Sequence, residues 1–248
     1  MLEEAHYDLH ALEADHWWFV GARAVYRTLL ELGLGKACGK LRMLEIGSGS
    51  GGNLRLLGEY GPTVGIEFSR LALSLTPDRP VLGLVQASAE ALPFMNRCFD
   101  GVNILGVIEH LKNDEIALSE ARRVCHPDGA LVLLTSALPV LWSHHDIANQ
   151  HQRRYLKNEL SALLTKANLV PIRLSYQNFF TFFPVFIVRL WQRGRTTPPR
   201  YDMGKPIKIV NQILVALLRF EAWLIRFMAL PIGVDLVAVC RVGRIENE

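Results

Sequence analysis

Residues 43–53 read MLEIGSGSGGN, a mostly apolar stretch that runs into a glycine-rich turn. The apolar part predicts a buried strand, and a helical pattern begins at Asn53. Gly47, Gly49 and Gly51 allow positive φ angles and leave the backbone amides open to a ligand. The stretch therefore predicts a strand, a turn and a helix that together hold a nucleotide-like cofactor.

The turn alone does not identify that cofactor. Gly47, Gly49 and Gly52 also fit the G-x-G-x-x-G spacing of dinucleotide-binding proteins, which leaves an NAD(P)-dependent oxidoreductase as one alternative. Glu45 precedes the first glycine and can meet a cationic group of a ligand. Glu67 ends the next predicted strand, about 20 residues after the first glycine, where a carboxylate reaches ribose hydroxyls. NAD and adenosyl ligands both require an acid at the position of Glu67, so this residue does not distinguish them.

Five features, taken in order, resemble the class I S-adenosylmethionine-dependent methyltransferases. They are the glycine turn with its preceding acid, Glu67 after the second strand, the AEALPF segment at 89–94, Phe99-Asp100 before the fourth strand, and Ile108-Glu109-His110-Leu111 after it. Their order and spacing match the family over roughly residues 40–176, and the combination is much more specific than any single motif.

The resemblance implies S-adenosylmethionine as the cofactor and assigns roles around the turn. Gly47, Gly49 and Gly51 are expected to cradle its methionine and ribose portions. Glu45 is expected to help hold the amino group, and Glu67 is expected to bind the ribose hydroxyls.

The resemblance also implies an adenine site further along the chain. Ser88 and Ala89 are expected to meet the adenine, although family members often carry Asp at the position of Ser88. Further cofactor contacts are expected from Phe68, Gly106 and Val107.

Composition limits the remaining possibilities. The chain has 248 residues, half of them apolar, which suits one large α/β core with an appendage. A net charge of +3 is too small to favour nucleic acid as a partner. Four cysteines without C-x-x-C spacing argue against a zinc site or disulfide framework, and an acidic N-terminus lacks the pattern of a secretory signal. We therefore expect a cytoplasmic protein.

Alternating strand and helix patterns predict an α/β fold with a doubly wound, Rossmann-like sheet of seven strands. Strands are predicted at about 41–46, 63–67, 81–86, 100–105, 129–136, 169–175 and 235–241. Helices are predicted at 16–34, 53–60, 69–74, 113–124 and 156–167. We expect residues 1–176 to form a methyltransferase core with an N-terminal helical cap, 177–234 an apolar helical insertion, and 235–248 the last core strand and tail.

The insertion is the most individual part of the chain. An apolar run at 179–188 is followed by a polar linker containing Pro198-Pro199 and then by one long predicted helix at 207–232 with a wide apolar face. Charges interrupt this helix too often for it to span a membrane. A lid over the substrate or a helix on the membrane surface is one interpretation. Packing against the core or in a homodimer is the other.

Two places carry groups that can take a proton from an acceptor. His110 follows the fourth strand, near the expected methionine portion of the cofactor, where a packing histidine is the alternative. The loop after the fifth strand carries His145, Asp146 and His151 at the ligand-facing edge of the sheet. A metal site that adds His144 to these three is disfavoured, because the spacings match no zinc motif.

Candidate substrate-binding residues flank these groups. The loop continues into a His-x-Arg-Arg-Tyr run similar to one found in a bacterial branch of the family. Arg153 and Arg154 can hold a phosphate or carboxylate, and Tyr155 can orient an acceptor. Surface salt bridging or helix capping is the alternative for the two arginines. In the first predicted helix, Trp18 and Arg23 are expected to reach the pocket.

The sequence thus predicts a methyltransferase that uses S-adenosylmethionine to methylate the oxygen of a small or lipid-linked hydroxyl acceptor. Oxygen is preferred because no Asn/Asp-Pro-Pro-Tyr motif of nitrogen methylation is present. A catalytically silent adaptor at a membrane or dimer interface is the main alternative. No nucleic acid and no metal are expected, and the protein is expected in the cytoplasm or peripherally on the inner face of the membrane.

Overall fold

A central sheet organises the chain in the computed structural model, which describes residues 3–76, 81–192, 204 and 206–243. Within these residues the sheet has seven strands: β1 (Met43–Ile46), β2 (Thr63–Glu67), β3 (Gly83–Gln86), β4 (Phe99–Leu105), β5 (Cys125–Ser136), β6 (Leu169–Gln177) and β7 (Asp235–Val242). The predicted α/β class and the seven strand positions are confirmed.

Helices flank the sheet. They are α1 (Glu3–Leu12), α2 (Trp17–Leu34), α3 (Leu54–Gly58), α4 (Arg70–Ser74), α5 (Asp114–Val124), α6 (His144–Ala148), α7 (Lys157–Lys166), α8 (Phe179–Gln192) and α9 (Lys208–Phe227). Sequence analysis did not predict α1 or α6. The helix predicted at 207–232 is shorter in the structure, ending at Phe227, and Pro198-Pro199 lie outside the described residues.

The order of the strands places the ligand site. The order is β3-β2-β1-β4-β5-β7-β6, with β7 antiparallel to both neighbours and the other pairs parallel. Leu44 of β1 lies between Val64 and Val102, so the strand order reverses on either side of β1. Ligands of open α/β sheets bind beside such a switch point, at the carboxyl ends of the strands.

The fifth strand begins earlier than predicted. Its start was expected at about residue 129, but β5 already begins at Cys125, which pairs with Phe99. The register then shifts between Phe99 and Gly101, as expected when extra residues bulge from a strand. Residues 125–129 therefore form an irregular start of β5.

The insertion packs partly on the core. Leu218, Ala222 and Ile225 of α9 are buried, and the Gly21 position of α2 lies so near Leu218 that a Cβ there would overlap it. One face of α9 therefore packs on the core. No helix within the described residues is long and apolar enough to cross a membrane.

A buried carboxylate joins the two helices of the insertion. Glu221 of α9 accepts hydrogen bonds from the backbone N–H groups of Asn178 (2.8 Å) and Phe180 (3.0 Å) at the start of α8. It thereby supplies partners for amides that a helix N-terminus leaves unpaired. Burial nevertheless raises the pKa of Glu221 to about 7.

This raised pKa predicts a pH-dependent stability. Between the ordinary value of 4.5 and about 7, the folded protein holds this proton more tightly than the unfolded chain does, so the free energy of unfolding falls as pH rises through that range. We expect Glu221→Gln to weaken this pH dependence in urea denaturation curves recorded across the interval. Glu159→Gln, which alters the exposed carboxylate at the start of α7, is the control. Equal pH slopes in Glu221→Gln and wild type would contradict the prediction.

Candidate functional site

A cavity of about 1120 Å³ opens at the carboxyl ends of the strands, beside the switch point. Its volume lies slightly above the usual range for small-molecule sites, which suits a cofactor together with an acceptor. The glycine turn, the end of β2, the segment after β3, and Gly106 and Val107 after β4 line one end. The N-terminal helices, His110, the loop after β5, α8 and the start of β7 line the other. We call these the cofactor end and the acceptor end.

The glycine turn has the backbone that the sequence predicts. The φ angles of Gly47, Gly49 and Gly51 are +73°, +54° and +81°. Glu67 joins the turn to β2, since its carboxylate accepts from the N–H of Gly49 at 3.0 Å and from that of Ser69 at 2.8 Å. The turn and the acid are therefore fixed relative to each other by the parallel pairing of β1 and β2.

The cofactor end fits an adenosyl ligand. A Cβ built on Gly49 meets nothing within 4 Å, so this backbone faces open space in the cavity. A Cβ on Gly47 would overlap the side chain of Val107, which lines the same wall. The absence of side chains at Gly47 and Gly49 therefore leaves space for a ligand beside the turn. The Glu67 carboxylate, next to the turn, can accept hydrogen bonds from ligand hydroxyl groups.

Most of the other residues predicted to bind the cofactor line this end: Phe68, Ser88, Ala89, Gly106 and Val107. Glu45 and Gly51 are not on the cavity wall. Glu45 is buried beneath the turn, where it accepts from the Asn53 amide at 2.9 Å. In this structure Glu45 supports the start of α3, and its predicted contact with the amino group stays a prediction.

Three histidines meet at the acceptor end. The rings of His110 and His151 lie edge to face with centroids 4.6 Å apart, and that of His145 is 6.2 Å from His151. Burial, with a smaller contribution from the neighbouring His151 ring, lowers the pKa of His110 to about 4. Burial and the Arg189 charge lower the pKa of His145 to about 3. His110 and His145 are therefore neutral near pH 7.

Asp146 links several residues of the acceptor end through hydrogen bonds. Its carboxylate, which is fully buried, accepts from His151 Nδ1 (2.9 Å), Arg154 Nε (2.7 Å) and Arg189 Nη1 (3.2 Å). The backbone N–H of Ser143 adds a fourth bond at 2.9 Å, which completes a capping box at the start of α6. Although burial alone would raise it, the pKa of Asp146 lies well below its usual range because of His151, Arg154 and Arg189.

The hydrogen bond to Asp146 orients His151. A neutral imidazole that donates from Nδ1 to a carboxylate keeps its proton there and presents Nε2 as an acceptor. His151 lines the cavity, whereas Asp146 does not. His145 differs, because its Nε2 lies 3.2 Å from the Asn149 side-chain amide nitrogen. Of the three histidines, His151 has the geometry of a base oriented by a carboxylate.

Several predicted site residues do not reach the cavity. Arg153 pairs with Asp114 at 3.0 Å, and the Tyr155 hydroxyl donates to the same carboxylate at 2.6 Å. Both therefore hold α5 to the loop after β5. Arg23 donates to the backbone carbonyl of Glu13 at 2.8 Å and is also absent from the cavity wall. None of these three residues lines the cavity in this structure, and Arg153 forms the salt bridge that was the alternative interpretation.

Arg154 and Trp18 line the cavity, and their contacts with a substrate stay predictions. The guanidinium of Arg154 donates to the Asp146 carboxylate at 2.7 Å and to the Ala137 carbonyl at 2.9 Å, and these bonds fix its position. Among the described residues, no cluster of three or more His, Cys, Asp or Glu side chains is arranged to hold a metal ion.

The sequence did not indicate several residues of the acceptor end: Glu13, Trp17, Tyr26, Asn178, Arg189 and Asp235. Burial raises the pKa of Asp235 to about 6 and that of Tyr26 well above its usual range. Asn178, with a φ of +61°, donates to Asp235 at 2.6 Å. The one sequence signal related to these contacts is the Ser143-x-x-Asp146 spacing, which is typical of a helix start.

Part of the chain is similar in sequence to known methyltransferases. Residues 44–133 match the family model described as a methyltransferase domain. The chain is 32% identical over 111 residues to the ubiquinone/menaquinone biosynthesis C-methyltransferase UbiE of Yersinia enterocolitica, an alignment that covers 40% of this chain and 44% of that protein. The chain thus spans under half the length of that curated relative.

Solved structures show the same fold. A chain of the complex between the Haloferax volcanii Trm112 methyltransferase activator and a methyltransferase has a TM-score of 0.63 at 16% identity, with 99% of this chain and 96% of that chain covered. Geranyl diphosphate C-methyltransferase from Streptomyces coelicolor, solved with S-adenosyl-L-homocysteine, has a TM-score of 0.58 at 13% identity, with 88% and 78% covered. Residues 44–133 thus match a methyltransferase domain, and the fold is the one seen in these solved methyltransferases.

Proposed function

We propose that this methyltransferase methylates a hydroxyl oxygen of an acceptor that carries an apolar portion, with His151 as the base. The hydrogen bond between His151 and Asp146 at the cavity wall carries the proposal. When bound, S-adenosylmethionine supplies a methyl group activated by a sulfonium. The protein has to align the acceptor, exclude water and remove one proton.

The acceptor end contains the groups for these tasks. His151 Nε2 is available to take the hydroxyl proton, and the ionised Asp146 stabilises the imidazolium that forms. Neutral His110, packed against that ring, limits its movement. Trp17, Trp18 and Val185 line the same end and favour an apolar portion on the acceptor, such as the chain of a lipid-linked compound.

Removal of the base tests this role. We expect His151→Gln to slow methyl transfer by about 100-fold or more while leaving S-adenosylmethionine binding unchanged, since a general base contributes roughly that much. The measurement uses radiolabelled S-adenosylmethionine with a panel of hydroxylated and lipid-linked acceptors. His126→Gln, a partly exposed histidine at the opposite end of β5, is the matched control.

The same assay distinguishes oxygen from carbon as the acceptor atom. The UbiE relative and the geranyl diphosphate enzyme are both C-methyltransferases by name. An oriented base also serves carbon methylation, because it can deprotonate a phenol or an acidic C–H group. The ¹³C chemical shift of the transferred methyl group separates the two products. A carbon-bound label would contradict O-methylation, and full activity in His151→Gln would contradict the role of His151.

A further inference from the structure

The outer face of α9 is an apolar stripe that the core leaves uncovered. Ile209, Ile213, Phe220, Trp223 and Phe227 are between 48% and 67% exposed. At about 100° per residue, all five lie within roughly 40° of one line along the helix. The opposite face carries the buried residues that pack on α2. Contiguous apolar surface of this kind marks a binding site in a soluble protein.

Aromatic contacts extend this stripe to α8. The rings of Phe220 and Trp223 stack at 5.7 Å, Trp223 contacts Phe227 at 5.2 Å, and Phe220 stacks on Phe180 of α8 at 5.9 Å. Phe and Trp are the residues that interfacial helices bury at the boundary between headgroups and acyl chains.

Helix α8 connects this surface to the cavity. One of its faces lines the acceptor end through Thr181, Val185 and Arg189. Its opposite face exposes Phe183 and Ile187, at 61% and 66%. A single helix therefore separates the acceptor end from an uncovered apolar surface.

The positive charge of the insertion favours an anionic partner. Residues 177–234 contain eight Lys or Arg and two Asp or Glu, a net of +6, whereas the whole chain carries +3. The rest of the chain is thus net negative. Lys208 and Arg219 are exposed, and both lie on one side of the stripe, about 80–100° from its centre around the helix axis. The sole acid in the described residues of α8 and α9, Glu221, is buried.

We propose that the exposed face of α9, continued by α8, docks on an anionic lipid bilayer. The aromatic stripe enters the headgroup region, and the flanking cations meet the lipid charges. This surface stands apart from the cofactor site and does not depend on methyl transfer. Docking would place the α8 wall of the acceptor end against the lipid.

Vesicle flotation tests the docking. The wild type is expected to bind vesicles of phosphatidylcholine mixed with phosphatidylglycerol, and to bind more weakly to phosphatidylcholine alone or at high salt. We expect the double variant Trp223→Gln/Phe227→Gln to lower the partition coefficient at least about tenfold. The control is Leu82→Gln/Met95→Gln, two residues that are 72% and 81% exposed elsewhere on the surface.

A charge variant and two further readouts make the test decisive. Lys208→Glu/Arg219→Glu is expected to lose about tenfold or more on anionic vesicles and little on neutral ones. Binding of S-adenosylhomocysteine and the circular dichroism spectrum should stay unchanged in both double variants. Absence of vesicle binding by the wild type would overturn the proposal. Equal vesicle binding by the wild type and the aromatic variant would also overturn it. So would a wild-type dimer that does not bind vesicles and that the aromatic variant converts to a monomer.

Discussion

Replacement of Asp146 by Asn is expected to cause the largest single loss of stability in this protein. The carboxylate lies between Arg154 and Arg189, whose side chains are 2% and 13% exposed, and it also binds His151. An amide of the same size has no charge and can accept with one oxygen only. Two guanidinium groups would then remain in a buried site without their counter-charge.

Breaking a buried ion pair in this way costs about 3–5 kcal/mol, because the remaining charge stays desolvated. We therefore expect the free energy of unfolding of Asp146→Asn, measured by urea denaturation, to fall by about that amount. Asp128→Asn is the control, since the Asp128 side chain is 94% exposed and lies 3.9 Å from His126. Equal stability of Asp146→Asn and wild type would show that the two arginines do not depend on this carboxylate.

The second large effect concerns the cofactor. We expect Gly49→Arg to lower the affinity for S-adenosylmethionine and S-adenosylhomocysteine by about 100-fold or more. Gly49 has a φ of +54°, which L-residues other than glycine rarely adopt, and its α-carbon faces the open cavity. An arginine side chain there would occupy the space of the ligand and place a positive charge beside its sulfonium. Calorimetric titration measures the change.

The matched control is Gly35→Arg. Gly35 also has a positive φ, of +81°, and open space around its Cβ position, but it lies outside the cavity. This variant also strains a positive-φ backbone and adds the same charge without touching the site. Similar losses of affinity in the two variants would mean that strain or charge, and not occupation of the site, weakens binding.

Local patterns account for what the sequence predicted well. The positive φ angles at Gly47, Gly49 and Gly51 follow from the identity of the residues, because only glycine adopts them at low cost. The place of Glu67 beside the turn follows from the parallel pairing of two consecutive strands. Both depend on contacts between residues less than about 25 positions apart, which motif spacing encodes.

The acceptor end was less predictable because distant segments build it. Arg189 reaches Asp146 from α8, 43 residues away, and Asn178 reaches Asp235 across the whole insertion. Arg153 and Tyr155 were plausible ligands by chemistry, yet Asp114 of α5 binds both. No short-range signal indicates which partner such a side chain selects, since tertiary packing decides it.

A crystal structure with S-adenosylhomocysteine tests the central claim most directly. We expect the adenine to lie by Ser88 and Ala89, the ribose hydroxyls to bond to Glu67, and the sulfur to point toward His151 at the acceptor end. A ligand bound elsewhere, or one whose sulfur points away from His151, would contradict the assignment of the two ends of the cavity and of the base.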